Sequence, residues 1–293
     1  MFINKTKIIA MAVVATLLYI LLQYATTKDP FFSSLFAGDW TGNVDEGTKG
    51  TWLNWLGLVA IVGYGAYQAY TFGDREIKVE PDHNEMTNGQ VNDPVWWKAI
   101  SGNTWFSVIW LPLRFVLGIY WLQAGWHKTQ SIGWAKSGLN EAGEHVERGA
   151  AMKGFLMGAY TPNPETGASR AIFGWYADFL QFMVNHNWTS WFGPLVAWGE
   201  LLIGVGLLTG GLVGIAAFFG TTLNMSFMLA GTVSSNPWMF ALTVFIILGW
   251  KVAGHFGLDR WLLPLLGTPW NRGYSRQADA DSPVGHHTAR SAI

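Results

Sequence analysis

Six runs of apolar residues dominate this 293-residue chain: Ile8 to Tyr24, Trp52 to Phe72, Trp105 to Trp126, Trp191 to Leu208, Leu212 to Ala230 and Pro237 to Gly254. A bilayer core about 30 Å thick takes around 20 such residues to cross as a helix, because an unpaired peptide group in lipid is too costly for any other open structure. The pattern predicts an all-α integral membrane protein with about six transmembrane helices. Charged residues make up 13% of the chain, against about 25% in soluble domains. With no cysteine, disulfides, thiolate metal sites and cysteine-held iron-sulfur clusters are excluded. A net charge of -1 gives no electrostatic footprint for a nucleic-acid partner.

Orientation follows from the basic residues in the short flanks. Lys5 and Lys7, then Arg75, Lys78 and Lys98, then Lys251, Arg260, Arg272 and Arg276 all fall on one side. That side is expected to be the cytoplasm, with both termini there and the protein multi-pass in the plasma membrane. The first run has no small-x-small cleavage site after it, so it reads as a retained anchor rather than a signal peptide. The chain then divides into an N-terminal helix pair with an external loop (1–72), a polar cytoplasmic linker (73–104), a four-helix membrane domain with a long external loop at 127–190 (105–266), and a tail expected to be disordered (267–293). Within the loop, Glu144 to Met157 and Phe173 to Val184 read as helices too short to span. They would lie on the membrane face or fold over the bundle as a lid. Tryptophans at the ends of the runs, Trp110 and Trp121 among them, read as an interfacial belt. Glycines such as Gly118, Gly125 and Gly204 read as faces for close helix contact.

Ionisable groups at membrane depth cost at least about 2.5 kcal/mol each, so each demands a partner or a purpose. Arg114 lies nine residues into the third run and Glu200 nine residues into the fourth, which puts both about 13.5 Å deep from opposite faces. A midplane ion pair between them is expected. Its simplest role is a bridge that fixes helix register; the functional alternative is that the pair lines a polar pocket, with Glu200 as proton acceptor. Thr221 and Asn224 share one face of the fifth run, and Gln123 lies near the outer end of the third. These could bond a quinone carbonyl or an oxyanion, or serve as interhelical glue. His127 and Lys128 would meet a small anion arriving from outside, although a lysine in that place is commonly a snorkelling anchor. Lys251, His255, Asp259 and Arg260 read as interface anchors and caps. No metal, flavin or haem motif is present, so electrons would pass directly between bound substrates or through a partner.

The stretches Leu113-Arg114 through Gly118, Ala124-Gly125 and Lys128, then Glu200 through Gly204, Gly206 and Gly210, then Gly257-Leu258-Asp259-Arg260-Trp261 resemble the successive signatures of DoxX-type membrane proteins. Met152 to Leu156 and Ser234 to Pro237 are similar to the DoxD branch, the large subunit of thiosulfate:quinone oxidoreductase. The resemblance spans about Trp105 to Leu266. It implies a DoxX-like four-helix bundle that, with a small external subunit, oxidises thiosulfate to tetrathionate and passes electrons to membrane quinone. Arg114, Lys128, Glu200 and Asp259 match the family's recurrent polar positions, with Arg114 and Glu200 the candidate catalytic pair. A non-catalytic subunit of a larger respiratory or photosynthetic complex is the other reading.

Overall fold

The computed structural model describes residues 2–27, 52–79, 91 and 93–268. The loop that joins the first two apolar runs, the middle of the polar linker and the tail from 269 on, with Arg272 and Arg276, lie outside the described residues. The chain is mostly helical. Strand β1 (Phe2–Asn4) leads into α1 (Lys5–Thr27), and α2 (Trp52–Phe72) returns to β2 (Glu76–Lys78), which pairs antiparallel with β1. After α3 (Val95–Gly102) and a 3-10 helix at Thr104–Trp110 comes α4 (Leu111–Gln130). Three helical stretches, Lys5–Thr26, Thr104–Gln130 and Thr189–Thr209, are long and apolar enough to cross a membrane. The apolar residues of the first and third of these face mostly outward, with 22% and 39% buried, whereas the second is 83% buried and forms the centre. The helix α2 matches them in length, but Asn54, Tyr64, Tyr67, Gln68 and Tyr70 lower its hydropathy.

Within the long loop a two-residue hairpin, β3 (Gly138–Leu139) with β4 (His145–Val146), precedes α5 (Ala150–Tyr160) and α6 (Gly174–Asn185). The first loop helix starts later than the expected Glu144, because Gly149 takes a left-handed φ of 81° and closes the hairpin. Both helices pack as a cap through Met152, Leu156, Leu180 and Met183 against Val196 and Ala230. The remaining helices are α7 (Thr189–Thr209), α8 (Val213–Leu229), α9 (Asn236–Leu248), the short α10 (Trp250–Ala253) and α11 (Asp259–Leu265).

The segment read as a linker is structured at both ends. Its β2 pairs with β1, and α3 buries Ala99 and accepts a 2.8 Å bond at Ile100 O from Trp110 Nε1. Lys5, Lys7, Arg75, Lys78, Lys98, Lys251 and Arg260 are thereby gathered at one end of the molecule, the basic end. Nor is the N-terminal pair separate: Ala15, Tyr19 and Ile61 share one apolar core with Leu117, Leu207 and Ala217. Trp110 and Trp121 are corrected from interfacial anchors to core residues, 4% and 2% exposed.

The seam between α4 and α7 sets the register of the bundle. These helices run antiparallel, and a Cβ added at Gly125 would strike the backbone of Leu201, one at Gly204 that of Leu122, and one at Gly118 the side chain of Leu208. Backbone atoms cannot step aside as side chains do. Gly204→Leu is therefore expected to lower stability by at least about 3 kcal/mol, followed as unfolding in detergent. Gly199→Ala on the same helix meets nothing within 4 Å and should instead be neutral or gain about 0.5–1 kcal/mol from helix propensity.

Candidate functional site

The expected Arg114–Glu200 pair does not form, and the seam explains why. Counting depth from Trp105 and Trp191 treats the two spans as flush. In fact the 3-10 stretch Thr104–Trp110 runs on past the end of α7, packed with α1 and α3. Arg114 sits in the first turn of α4, level with the last turn of α7, while Glu200 lies two turns and more back along that helix. Arg114 is wholly buried and donates from Nε to Leu207 O at 2.9 Å, from Nη2 to Leu208 O at 3.2 Å, and from Nη1 to Ala253 O at 2.8 Å and Phe256 O at 2.9 Å. These are the orphan carbonyls that close α7 and the turn after α10, where a cation also complements the helix dipoles.

Beside it, Asp259 accepts from the backbone amides of Leu212 at 2.5 Å and Val213 at 2.9 Å, which start α8. Burial raises the Asp259 pKa, while these two amides and the Arg114 charge pull it back. Between the two charges, Gly210 adopts φ 69° and lies so close to Arg114 and Gly257 that no side chain fits. Arg114 and Asp259 thus form a structural clamp joining α4, α7, α8, α10 and α11 at the basic end. Lys251 and Arg260 are exposed there. His255 is half-buried, its pKa depressed to about 4 by burial and then by the Arg260 charge.

The partner of Glu200 is Lys128. Its Nζ lies 2.6 Å from Glu200 Oε1, with the carboxylate side chain 1% exposed and the lysine side chain 20%. The same ammonium sits 5.0 Å from the Trp134 ring centroid and 5.1 Å from that of Phe227, within cation–π range on both. Fourteen residues of helix, about 21 Å, separate it from Arg114.

This ion pair borders a pocket of about 260 Å³ at the end opposite the basic one. From α4 come Tyr120, Trp121, Ala124, His127 and Lys128, spaced to share one helix face. Glu200 enters from α7, Asn224 and Phe227 from α8, Asn236 and Met239 from α9, and Ser234 and Ser235 from the turn between α8 and α9. The cap closes it with Trp134 and Phe155. The exposed lining is mostly apolar, with Tyr120, Trp121, Trp134, Phe155 and Phe227 supplying aromatic walls among a set of polar groups, as in most small-molecule sites.

Of the candidates read from sequence, the fold brings Glu200, His127, Lys128 and Asn224 together here. Arg114 is at the far end. Gln123 is buried but does not line the pocket, and Thr221 spends its hydroxyl on Ala217 O of its own helix. Trp121, Trp134 and Phe155 were missed. The first had a signal, since it stands three residues before Ala124 and seven before Lys128; the other two come from the cap, whose docking no local pattern announces. Among the described residues no group of three or more His, Asp and Glu could hold a metal ion. Set against known proteins, the chain matches no family model, no curated protein and no solved structure.

Proposed function

We propose that the chain is the membrane subunit of a quinone-linked oxidoreductase that takes thiosulfate from outside, oxidises it to tetrathionate and reduces membrane quinone. Two thiosulfate anions joining through a new sulfur–sulfur bond release two electrons, and quinone takes up two electrons and two protons to become quinol. The observation that carries the reading is the Lys128–Glu200 pair at 2.6 Å inside an aromatic-walled pocket. The aromatic walls suit a quinone ring. The ammonium at the mouth, with exposed His127 beside it, suits an anion, and Glu200 is the group that would carry a proton. Electrons pass between the two bound substrates directly or through a small external partner.

In this reading α2, α8 and α9 with α10 also cross the bilayer, giving six spans around a DoxX-like bundle of α4, α7, α8 and α9. The basic end faces the cytoplasm, both termini with it, in keeping with the bias of lysine and arginine toward that side. The test uses membranes containing the chain and its partner, with a short-chain quinone in excess. Thiosulfate-dependent quinol formation, followed in the ultraviolet, is expected in the wild type and should fall about 100-fold or more in Glu200→Gln. A wild-type chain that is inactive yet co-purifies in fixed ratio with a larger respiratory or photosynthetic complex would instead be a non-catalytic subunit.

A further inference from the structure

Three polar atoms deep in the pocket lack hydrogen-bond partners. Asn224 is wholly buried, and neither its amide oxygen nor its amide nitrogen is bonded; Trp121, 2% exposed, has an unbonded indole Nε1. Both residues line the pocket. They are neighbours on one wall: a Cβ at Gly220 would lie 3.3 Å from Trp121 Nε1, and Asn224 follows Gly220 by one turn on the same face of α8. Buried polar groups in native proteins are nearly always satisfied, so such a cluster asks for an occupant.

The chemistry of the three atoms restricts it. Two are donors, the indole N–H and the amide NH2, and one is an acceptor, the amide oxygen. An oxyanion would satisfy the donors but set its own lone pairs against Asn224 Oδ1. An ammonium would satisfy Oδ1 and leave both donors idle. A hydroxyl group does both. The deep wall formed by Trp121 and Asn224 carries no charge of its own, unlike the partly exposed Lys128 side, so it suits a neutral group, and Tyr120, Phe227 and Met239 offer apolar walls for a ring.

We infer that the deep wall of this pocket recognises the hydroxyl of an uncharged aromatic alcohol, whose oxygen accepts from Trp121 Nε1–H and the Asn224 amide while its O–H donates to Asn224 Oδ1. The inference rests on the oxidoreductase reading only in naming the biological ligand: there the hydroxyl belongs to quinol, so the site holds the reduced form more tightly than the quinone. A tenfold preference for the reduced form raises the two-electron potential of the bound couple by about 30 mV, which makes it the better electron acceptor.

The test is calorimetry on the full chain in lipid nanodiscs under nitrogen, with empty discs subtracted, using hydroquinone and 1,4-dimethoxybenzene, which keeps the ring and oxygens but has no donor. Hydroquinone is expected to bind at least tenfold more tightly. Asn224→Leu should abolish that difference, weakening hydroquinone far more than dimethoxybenzene because only the former donates to Asn224 Oδ1, and Trp121→Phe, which keeps a ring in place, should weaken hydroquinone binding. Equal affinities in the wild type, or binding of neither probe, would overturn the inference, the latter assigning these groups to water. The wild-type comparison needs no variant to fold. Discrimination without thiosulfate activity would support this site and remove the oxidoreductase reading; activity without discrimination would remove this site alone.

Discussion

Arg114→Met should lower the stability of the bundle by about 3–5 kcal/mol, read as unfolding in detergent, without touching the pocket at the other end of α4. Methionine fills much of the volume, so the loss is one of polar satisfaction. Four carbonyls, those of Leu207, Leu208, Ala253 and Phe256, lose their donor in a place with no exposure. An unsatisfied buried acceptor costs about 1–3 kcal/mol, and several together add less than their sum. Arg114→Lys should recover less than half of the loss. A lysine ammonium is a compact charge with three donors, whereas the guanidinium fork reaches two helix ends at once. The remaining folded fraction should still prefer hydroquinone to its dimethyl ether. If instead stability is kept and quinol formation is lost, Arg114 belongs to the chemistry, as its place in the third run first suggested.

How far the chain could be read before its fold was seen depended on the kind of information needed. Helix positions were legible because apolar length is local: Trp52 to Phe72 is α2 residue for residue, and Leu212 to Ala230 differs from α8 by one residue at each end. The glycine faces were legible too, since Gly118, Gly125 and Gly204 stand where another helix comes close. Register was not. It depends on which glycine meets which backbone, and the partner of Glu200 moved fourteen residues, about four turns, along α4, from Arg114 to Lys128. The sixth run was broken for a related reason: Gly249 ends α9 where the Trp110 ring presses against it, so the helix restarts only as the four-residue α10. The cap was least legible of all. Its α6 was found from sequence, but Trp134 and Phe155 enter the pocket only because the α5–α6 hairpin docks on the ends of α7 and α8.

A double-mutant cycle on Lys128 and Glu200 should separate what holds the bundle together from what equips it. Lys128→Met removes the ammonium from a carboxylate that is 1% exposed, and breaking a buried pair in this way costs about 3–5 kcal/mol. Glu200→Leu should cost less, about 1–2 kcal/mol, because the lysine keeps the faces of Trp134 and Phe227 and is partly open to solvent. The double variant is expected to lie within about 1 kcal/mol of the wild type, since apolar residues of similar volume often replace a buried ion pair without loss. The coupling energy would then be large while the pair's net stabilisation is close to zero. A charge pair that the fold can do without has to be explained by what enters the pocket. The double variant should therefore unfold like the wild type and make no quinol from thiosulfate. A double variant that is both stable and fully active would make the pair a register device for α4 and α7 and remove it from the chemistry.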